Sequence, residues 1–364
     1  MNSSSLVAAL PGGPLDLVGD VHGELAALES LLAAAGYDAD GHHPDGRHLV
    51  IVGDLVDRGP DSPGVVWRVK QLVDSGRASA ILGNHELNIL RGQRKAGNDW
   101  FWGEHRPGDQ AYEPFQRTDP AQDPDMLAFF RSLPLALERA DLRVVHAVWD
   151  APSIDRLRTI GFVKSEGLAA LFERFEGEAR NELERQGIAA AAERELAAWK
   201  GQLGNPAAPV PMLHAVGRQA ELQQMLNPLR VLTSGVERCA QAPFFASQEW
   251  RFAVRERWWD AYGDPVPVVV GHYWRQYLPL DRAELGKGDP DLFKGIAATH
   301  WLGDRGLVFC VDYSVGGRYK ERGRSPSDWR TRLAALRWPE NVLILEDGEE
   351  VPTTGFLRAD TGTA

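Results

Sequence analysis

Three short runs in the first quarter of the chain constrain it more than anything else: Gly19-Asp20-Val21-His22-Gly23, Gly53-Asp54-Leu55-Val56-Asp57-Arg58-Gly59 and Gly83-Asn84-His85-Glu86. Each joins glycine to a side chain able to bind metal, and each follows an apolar run (Leu15–Val18, Leu49–Val52, Ala80–Leu82). That pattern puts oxygen and imidazole ligands at the ends of buried strands, where ligands gather in α/β sheets. Gly-Asp and Gly-Asn are also turn dipeptides, so one block alone would say little. Three in this order, each after a strand, describe a site for two divalent cations.

The surrounding pattern is that of an α/β chain. Leucines at 25, 28, 31 and 32 give Glu24–Ala35 helical spacing, and Pro60–Ser75 and His85–Arg91 read as further helices. Leu142–Val145, Val266–Val270 and Leu307–Val311 are later strand signals, and Leu333–Leu345 reads as a strand pair around Pro339-Glu340-Asn341. Residues 92–125, rich in Gly, Pro, Asp and aromatics (Trp100, Phe101, Trp102, Tyr112, Phe115), suit either a surface loop or a substrate-facing lid. From Ser153 to Tyr262 the pattern turns helical and charge-laced. The expected organisation is therefore a catalytic core of residues 1–152 and 263–350, a helical insertion or cap at 153–262, and a tail at 351–364.

Bulk properties narrow the setting. A length of 364 residues has room for one large domain with an insertion, or for two domains. A net charge of −11 argues against nucleic acid and against an anionic membrane surface, but not against a phosphorylated substrate in a locally positive pocket. Met1–Gly13 has no signal-peptide pattern, and no run approaches the ~18–20 apolar residues that span a bilayer. Cys239 and Cys310, the two cysteines, form neither a metal spacing nor a disulfide framework. A cytoplasmic protein is expected; its oligomeric state is left open.

Hydrolysing a phosphate monoester requires a hydroxide-like nucleophile, positive charge around the phosphoryl oxygens, and a proton for the leaving oxygen. Two cations ~3.5–4 Å apart meet the first two needs. Asp20 and His22, two apart, can point from one loop to one ion, and Asp54 can bridge two ions through its two oxygens. Asn84 adds a neutral oxygen, and His146 and His272 each end a later apolar run. Carboxylate, imidazole and amide ligands suit manganese, iron or zinc better than magnesium or calcium.

The three blocks resemble the signature of the calcineurin-like metallophosphoesterases, in the branch of the protein Ser/Thr phosphatases and symmetrical diadenosine tetraphosphate hydrolases. The resemblance covers residues 15–90, with weaker matches at 142–147, 268–272 and 307–317, and leaves 153–262 unexplained. It implies a four-layer α/β fold, a β-sandwich flanked by helices. It implies a first metal on Asp20, His22 and bridging Asp54, and a second on Asp54, Asn84, His146 and His272, with manganese foremost. His85 would be the general acid, held by Asp57, because a carboxylate beside an imidazole favours the protonated ring. Arg58, with Asn84, would grip the phosphate. Attack would be in line from a metal-bridging hydroxide, with no phospho-enzyme. The substrate could be a phosphoprotein, a dinucleoside polyphosphate or other nucleotide, or a small phosphorylated metabolite. From a different class, an inactive regulatory or binding protein on the same fold is the competing expectation, disfavoured by the intact set.

The chain also departs from that family. Many members end in Gly-His-x-His, whereas the run here is Gly271-His272-Tyr273-Trp274, and His146-Ala147-Val148 stands for the usual His-Ala-Gly. A second phosphate-binding arginine has only weak candidates in Arg238, Arg257 and Arg275, each better read as a salt-bridge or surface residue. His42, His43 and His48 read as loop residues, and His105, His214 and His300 as structural. Trp258, Trp259 and Trp274 suit packing, with nucleobase stacking as the other reading. Gly316-Gly317 is expected in a tight turn at the pocket rim, with Tyr313 a weak candidate to face substrate.

Overall fold

Alternation along the strands divides the apolar residues between two faces and so dictates a sandwich. The computed structural model describes residues 5–103, 108–160, 167–246, 248–279, 281–282 and 288–357. One sheet has six strands in the order β13 (Glu350–Pro352), β12 (Val342–Leu345), β11 (Ala334–Trp338), β2 (Leu15–Val18), β3 (His48–Ile51) and β4 (Ala78–Ala80). The other has five, in the order β1 (Val7–Ala9), β5 (Ala136–Arg139), β6 (Leu142–Val145), β9 (Val268–Val270) and β10 (Val308–Cys310). β2, β3 and β4 run parallel, as do β6, β9 and β10.

Leu15, Leu17, Val50 and Val52 of the first sheet meet Leu137, Val144, Val269 and Phe309 of the second in one buried layer. Val18, Ile51, Val145 and Val270 point the other way, into the cores beneath the helices. Each such side chain contributes about 1.5–3 kcal/mol on burial. The helices α1 (Leu25–Ala34), α2 (Ser62–Asp74), α3 (Asn84–Leu90) and α5 (Asp123–Ser132) join these outer cores, so the fold is the expected four-layer α/β sandwich. α2 begins where Asp61 accepts from Gly64 N at 2.8 Å, with Pro63 in the first turn. The expected tail pair is β11 and β12, Leu336 facing Leu343, and β13 adds a third strand.

The stretch 92–125 carries two short helical turns, α4 (Asp99–Trp102) and a 3-10 turn at Asp109–Tyr112. The stretch 153–262, expected as a helical insertion or cap, is helical only in part. It holds α6 (Ala151–Thr159), α7 (Gly167–Arg185), α8 (Ile188–Ala198), α9 (His214–Met225) and α10 (Pro228–Ser234), but also an antiparallel hairpin of β7 (Glu237–Ala246) and β8 (Glu249–Arg255). The hairpin's Phe252 packs with Ala208, Val210 and Leu213 in a small core of its own. Phe172, Phe175, Leu229 and Leu232, by contrast, belong to the main core. Among the described residues no helix is long and apolar enough to cross a membrane.

Candidate metal centre

The parallel strands all release their next residues at one edge of the sandwich. Asp20 follows β2, Asp54 follows β3, Asn84 opens the helix after β4, His146 follows β6 and His272 follows β9. Asp20, His22, Asp54, His85, His146 and His272 are all buried. The backbone there is bent hard: His22, Asp54, Asp57, Arg58, His272 and Trp274 all have φ between +47° and +74°. Left-handed backbone costs a non-glycine residue on the order of 1–3 kcal/mol, and such strain clusters at functional sites. Gly271 and Gly83 allow the close packing. A Cβ on Gly271 would stand 2.0 Å from Asp20 Oδ1, and one on Gly83 2.2 Å from Asp54 Oδ1.

Asp54 is the hub. Its Oδ2 lies 3.8 Å from His22 Nε2, 3.8 Å from His85 Nε2 and 3.3 Å from His146 Nε2. Two groups of potential ligands share it: His22, Asp54 and His85, and Asp54, His146 and His272, with ligand atoms within 4.8 Å of one another in each. Asp20 Oδ2 joins the first group at 3.9 Å from His22 Nε2, and Asn84 Oδ1 joins the second at 3.3 Å from His146 Nε2. Asp54 Oδ1 also accepts from His85 N at 3.0 Å, which fixes the plane of the carboxylate.

The donor set fits cations. His22 Nδ1 lies 3.0 Å from Val56 O and His146 Nδ1 2.7 Å from Val52 O. A carbonyl only accepts, so each Nδ1 carries the proton and each Nε2 faces the carboxylates, the tautomer a metal-binding histidine needs. The charge balance points the same way. Burial, with Asp312 and Asp54 nearby, pushes Asp20 well above the usual carboxylate range. Burial opposes charge on Asp54 too, but His146, His85 and His22 hold it well below that range. Burial disfavours charge on His146, yet Asp54 and Asp20 outweigh it and raise the imidazole to about 10. Without cations, protons must balance these carboxylates.

Beside Asp54, His85 Nδ1 lies 2.5 Å from Asp57 Oδ2, leaving Nε2 toward the centre. Arg58 Nη1 lies 2.9 Å from His22 Nε2, and its guanidinium sits 4.8 Å from the centroid of Trp274. Thus all the residues singled out in the blocks, with His146 and His272, meet at one edge. The three arginine candidates do not. Arg238 pairs with Glu221 and Glu256, and Arg257 with Asp260. Arg275 is buried rather than exposed, donating to the carbonyls of Cys310, Ala297 and His300. Tyr313 is a core residue donating to Ala298 O. Gly316 lies in a 3-10 turn so near His22 that a Cβ on it would stand 2.3 Å from the imidazole. Trp258 and Trp259 pack in the core, and His105 lies outside the described residues.

Three contributors were missed from sequence. Glu86 accepts from Asp54 N, Leu55 N and Gly83 N at 2.8–3.1 Å and so clamps the second and third blocks together. Asp312, buried after β10, accepts from Trp274 N at 2.7 Å and fixes the loop after His272. Its position after the apolar run Leu307–Val311 was a usable signal, the same one that marked Asp20. The third, Trp100, donates from Nε1 to Asp57 Oδ1 at 2.6 Å, and nothing in the sequence signals that contact.

Residues 13–181 match the model of the calcineurin-like phosphoesterases. The chain carries a calcineurin-like metallophosphoesterase domain. Among curated relatives, this domain is similar to an asymmetrical bis(5'-nucleosyl)-tetraphosphatase PrpE of Oceanobacillus iheyensis, 47% identical over 80 residues that make up 21% of this chain and 32% of that protein. A symmetrical bis(5'-nucleosyl)-tetraphosphatase of Ralstonia nicotianae is 42% identical over 87 residues, 23% of this chain and 28% of that one. These similarities span about a third of the length of either relative. Among solved structures, a cold-active protein-tyrosine phosphatase of a Shewanella species covers 97% of this chain and 83% of its own, at 15% identity and a TM-score of 0.42.

Proposed function

We propose that the protein is a two-metal phosphoesterase that hydrolyses phosphomonoesters. The observation that carries the reading is that the Asp54 carboxylate is common to two groups of buried potential ligands, one of which includes His85 paired with Asp57. Two divalent cations, manganese foremost and iron or zinc otherwise, would supply a nucleophile from water at neutral pH and offset the phosphoryl charge. Asp20 and His22 would hold one, Asn84, His146 and His272 the other, with Asp54 between. His85 is the general acid, delivering a proton from Nε2 to the leaving oxygen. Asp57 orients it through Nδ1. Arg58 offers a guanidinium fork to the phosphoryl oxygens, and Asn84 a further polar contact.

Every one of these residues falls within 1–152 or 263–350, which supports those segments as the catalytic core and 153–262 as an accessory unit. The names of the curated relatives favour a second reading of the substrate, a dinucleoside polyphosphate. The experiment is hydrolysis of p-nitrophenyl phosphate with and without Mn²⁺, for the wild type, Asp54→Asn and His85→Asn. Metal-dependent turnover lost in Asp54→Asn is expected; no turnover in the wild type would refute the reading. Phosphopeptides, diadenosine tetraphosphate and mononucleotides, compared by kcat/KM, then divide the substrates.

A further inference from the structure

The indole of Trp100 ends on the carboxylate that holds His85. Asp57 is fully buried and its two oxygens are divided: Oδ2 faces His85 Nδ1 at 2.5 Å and Oδ1 accepts from Trp100 Nε1 at 2.6 Å. The Asp57 backbone N donates to Ser62 Oγ at 2.9 Å, so the residue is fixed from three sides. Trp100 is itself buried and comes from outside the three blocks. Its own segment is tied down beside them: Thr118 N donates to Trp100 O at 3.0 Å, Gln116 N to Pro60 O at 2.7 Å, and Arg58 N to Gly97 O at 3.1 Å.

A carboxylate with one bound oxygen can turn about its Cβ–Cγ bond and carry its partner with it. With an indole N–H on Oδ1, the plane of the Asp57 carboxylate is set, and with it the direction of the His85 ring. Indole only donates, so the contact cannot invert, and an apolar ring at this depth excludes water that would compete for Oδ1.

We infer that Trp100 is a positioning residue for proton delivery: it fixes Asp57 so that His85 Nε2 is aimed at the leaving oxygen. This rests on the reading of His85 as the general acid. As the new P–O bond forms from water, the P–O bond to the leaving group breaks with its electron pair on that oxygen. The leaving oxygen takes the proton from His85 Nε2, and the proton released by water restores the imidazole.

Leaving groups test this, because p-nitrophenolate departs with little help and phenolate needs a proton. Trp100→Phe, which keeps an aromatic ring and loses the N–H, is expected to lower kcat on phenyl phosphate about tenfold and on p-nitrophenyl phosphate by less than about twofold. Both KM values and the Mn²⁺ affinity by calorimetry should stay within about twofold of wild type. Equal losses on the two substrates, no loss on either, or a weakened Mn²⁺ affinity would overturn the inference. If Trp100→Phe does not fold, β-(3-benzothienyl)alanine at position 100, which replaces the indole N–H by sulfur in the same shape, carries the comparison. His85→Asn separates the two layers. If it falls equally on both esters, the acid role of His85 is wrong; if it discriminates and the Trp100 variants do not, only the inference about Trp100 fails.

Discussion

His146 Nε2 lies 3.3 Å from Asp54 Oδ2, with both residues buried and His146 Nδ1 held on Val52 O. The imidazole and the carboxylate thus share the space in which a cation would sit, and a proton on His146 stands in for its charge. A buried ion pair of this kind is poor evidence for a stabilising device, because desolvation cancels much of the attraction. It is good evidence for a site built to be filled.

Asp54→Asn removes charge from both ligand groups at once. Turnover should fall at least about 100-fold, beyond the usual effect of losing a supporting contact around a metal. At a Mn²⁺ concentration 100 times Kd, binding should stabilise the wild type by about 2.7 kcal/mol, raising Tm. The Asn variant should show no such rise. A Mn²⁺-dependent Tm that survives the substitution would show that Asp54 is not the shared ligand.

Stability without metal should fall as pH rises above neutral. His146 is raised to about 10, so the stability from its protonated form is complete below its ordinary value near 6.5 and is lost as pH rises through 10. Burial and Asp54 push Glu86 up to about 7, so its contribution is already fading from about 4.5 and gone above 7. His22 runs the other way, pushed below its usual value by burial, Arg58 and His85, but its contribution is complete above about 6.5 and is flat in this window. With chelator, Tm should drop between pH 7 and 10, and Mn²⁺ should reduce the drop. A chelated protein with constant Tm across that range would contradict the charge balance drawn for the site.

Glu86→Gln tests the clamp on the blocks. The carboxylate accepts from Gly83 N, Asp54 N and Leu55 N, and an amide has one oxygen for them and adds two N–H donors of its own. Buried donors left without partners cost about 1–3 kcal/mol each. The variant should be destabilised by about that much in urea and lose Mn²⁺ affinity about 10–100-fold, since Asp54 would no longer be fixed. Unchanged affinity would show that Asp54 is held by the strand alone.

The proposed ligands were legible because each sits directly after an apolar run, and a strand that ends at a sheet edge delivers its next residue to a predictable place. That logic located Asp20, Asp54, Asn84, His146 and His272. It located equally the hairpin β11–β12, whose apolar runs flank Pro339-Glu340-Asn341. Trp100 was not legible, because its contact with Asp57 depends on how a Gly- and Pro-rich segment folds back 43 residues later. The β7–β8 hairpin was hidden by its flanking charge-laced helices, since short alternating runs such as Trp250-Arg251-Phe252 carry little weight alone. The left-handed backbone at His22, Asp54 and His272 was also invisible, because none is a glycine and only the surrounding packing enforces that conformation.

Arg58 supplies the last prediction. Its guanidinium contacts His22 Nε2 at 2.9 Å and lies over Trp274, so the fork is held at the edge of the ligand groups and not left to solvent. A planar fork can meet two phosphoryl oxygens at once, and an ammonium can meet them only as a point charge. Charge-assisted hydrogen bonds of this kind contribute about 1.5–3 kcal/mol, so Arg58→Ala should lower kcat/KM about 10–100-fold. Arg58→Lys should recover only a small part of that loss, since it restores charge without the fork or the stacking on Trp274. Inhibition by inorganic phosphate should weaken in parallel, because the same oxygens are recognised in the product. If Arg58→Lys were as active as wild type with unchanged phosphate inhibition, charge alone would suffice at this position and the fork would have no role.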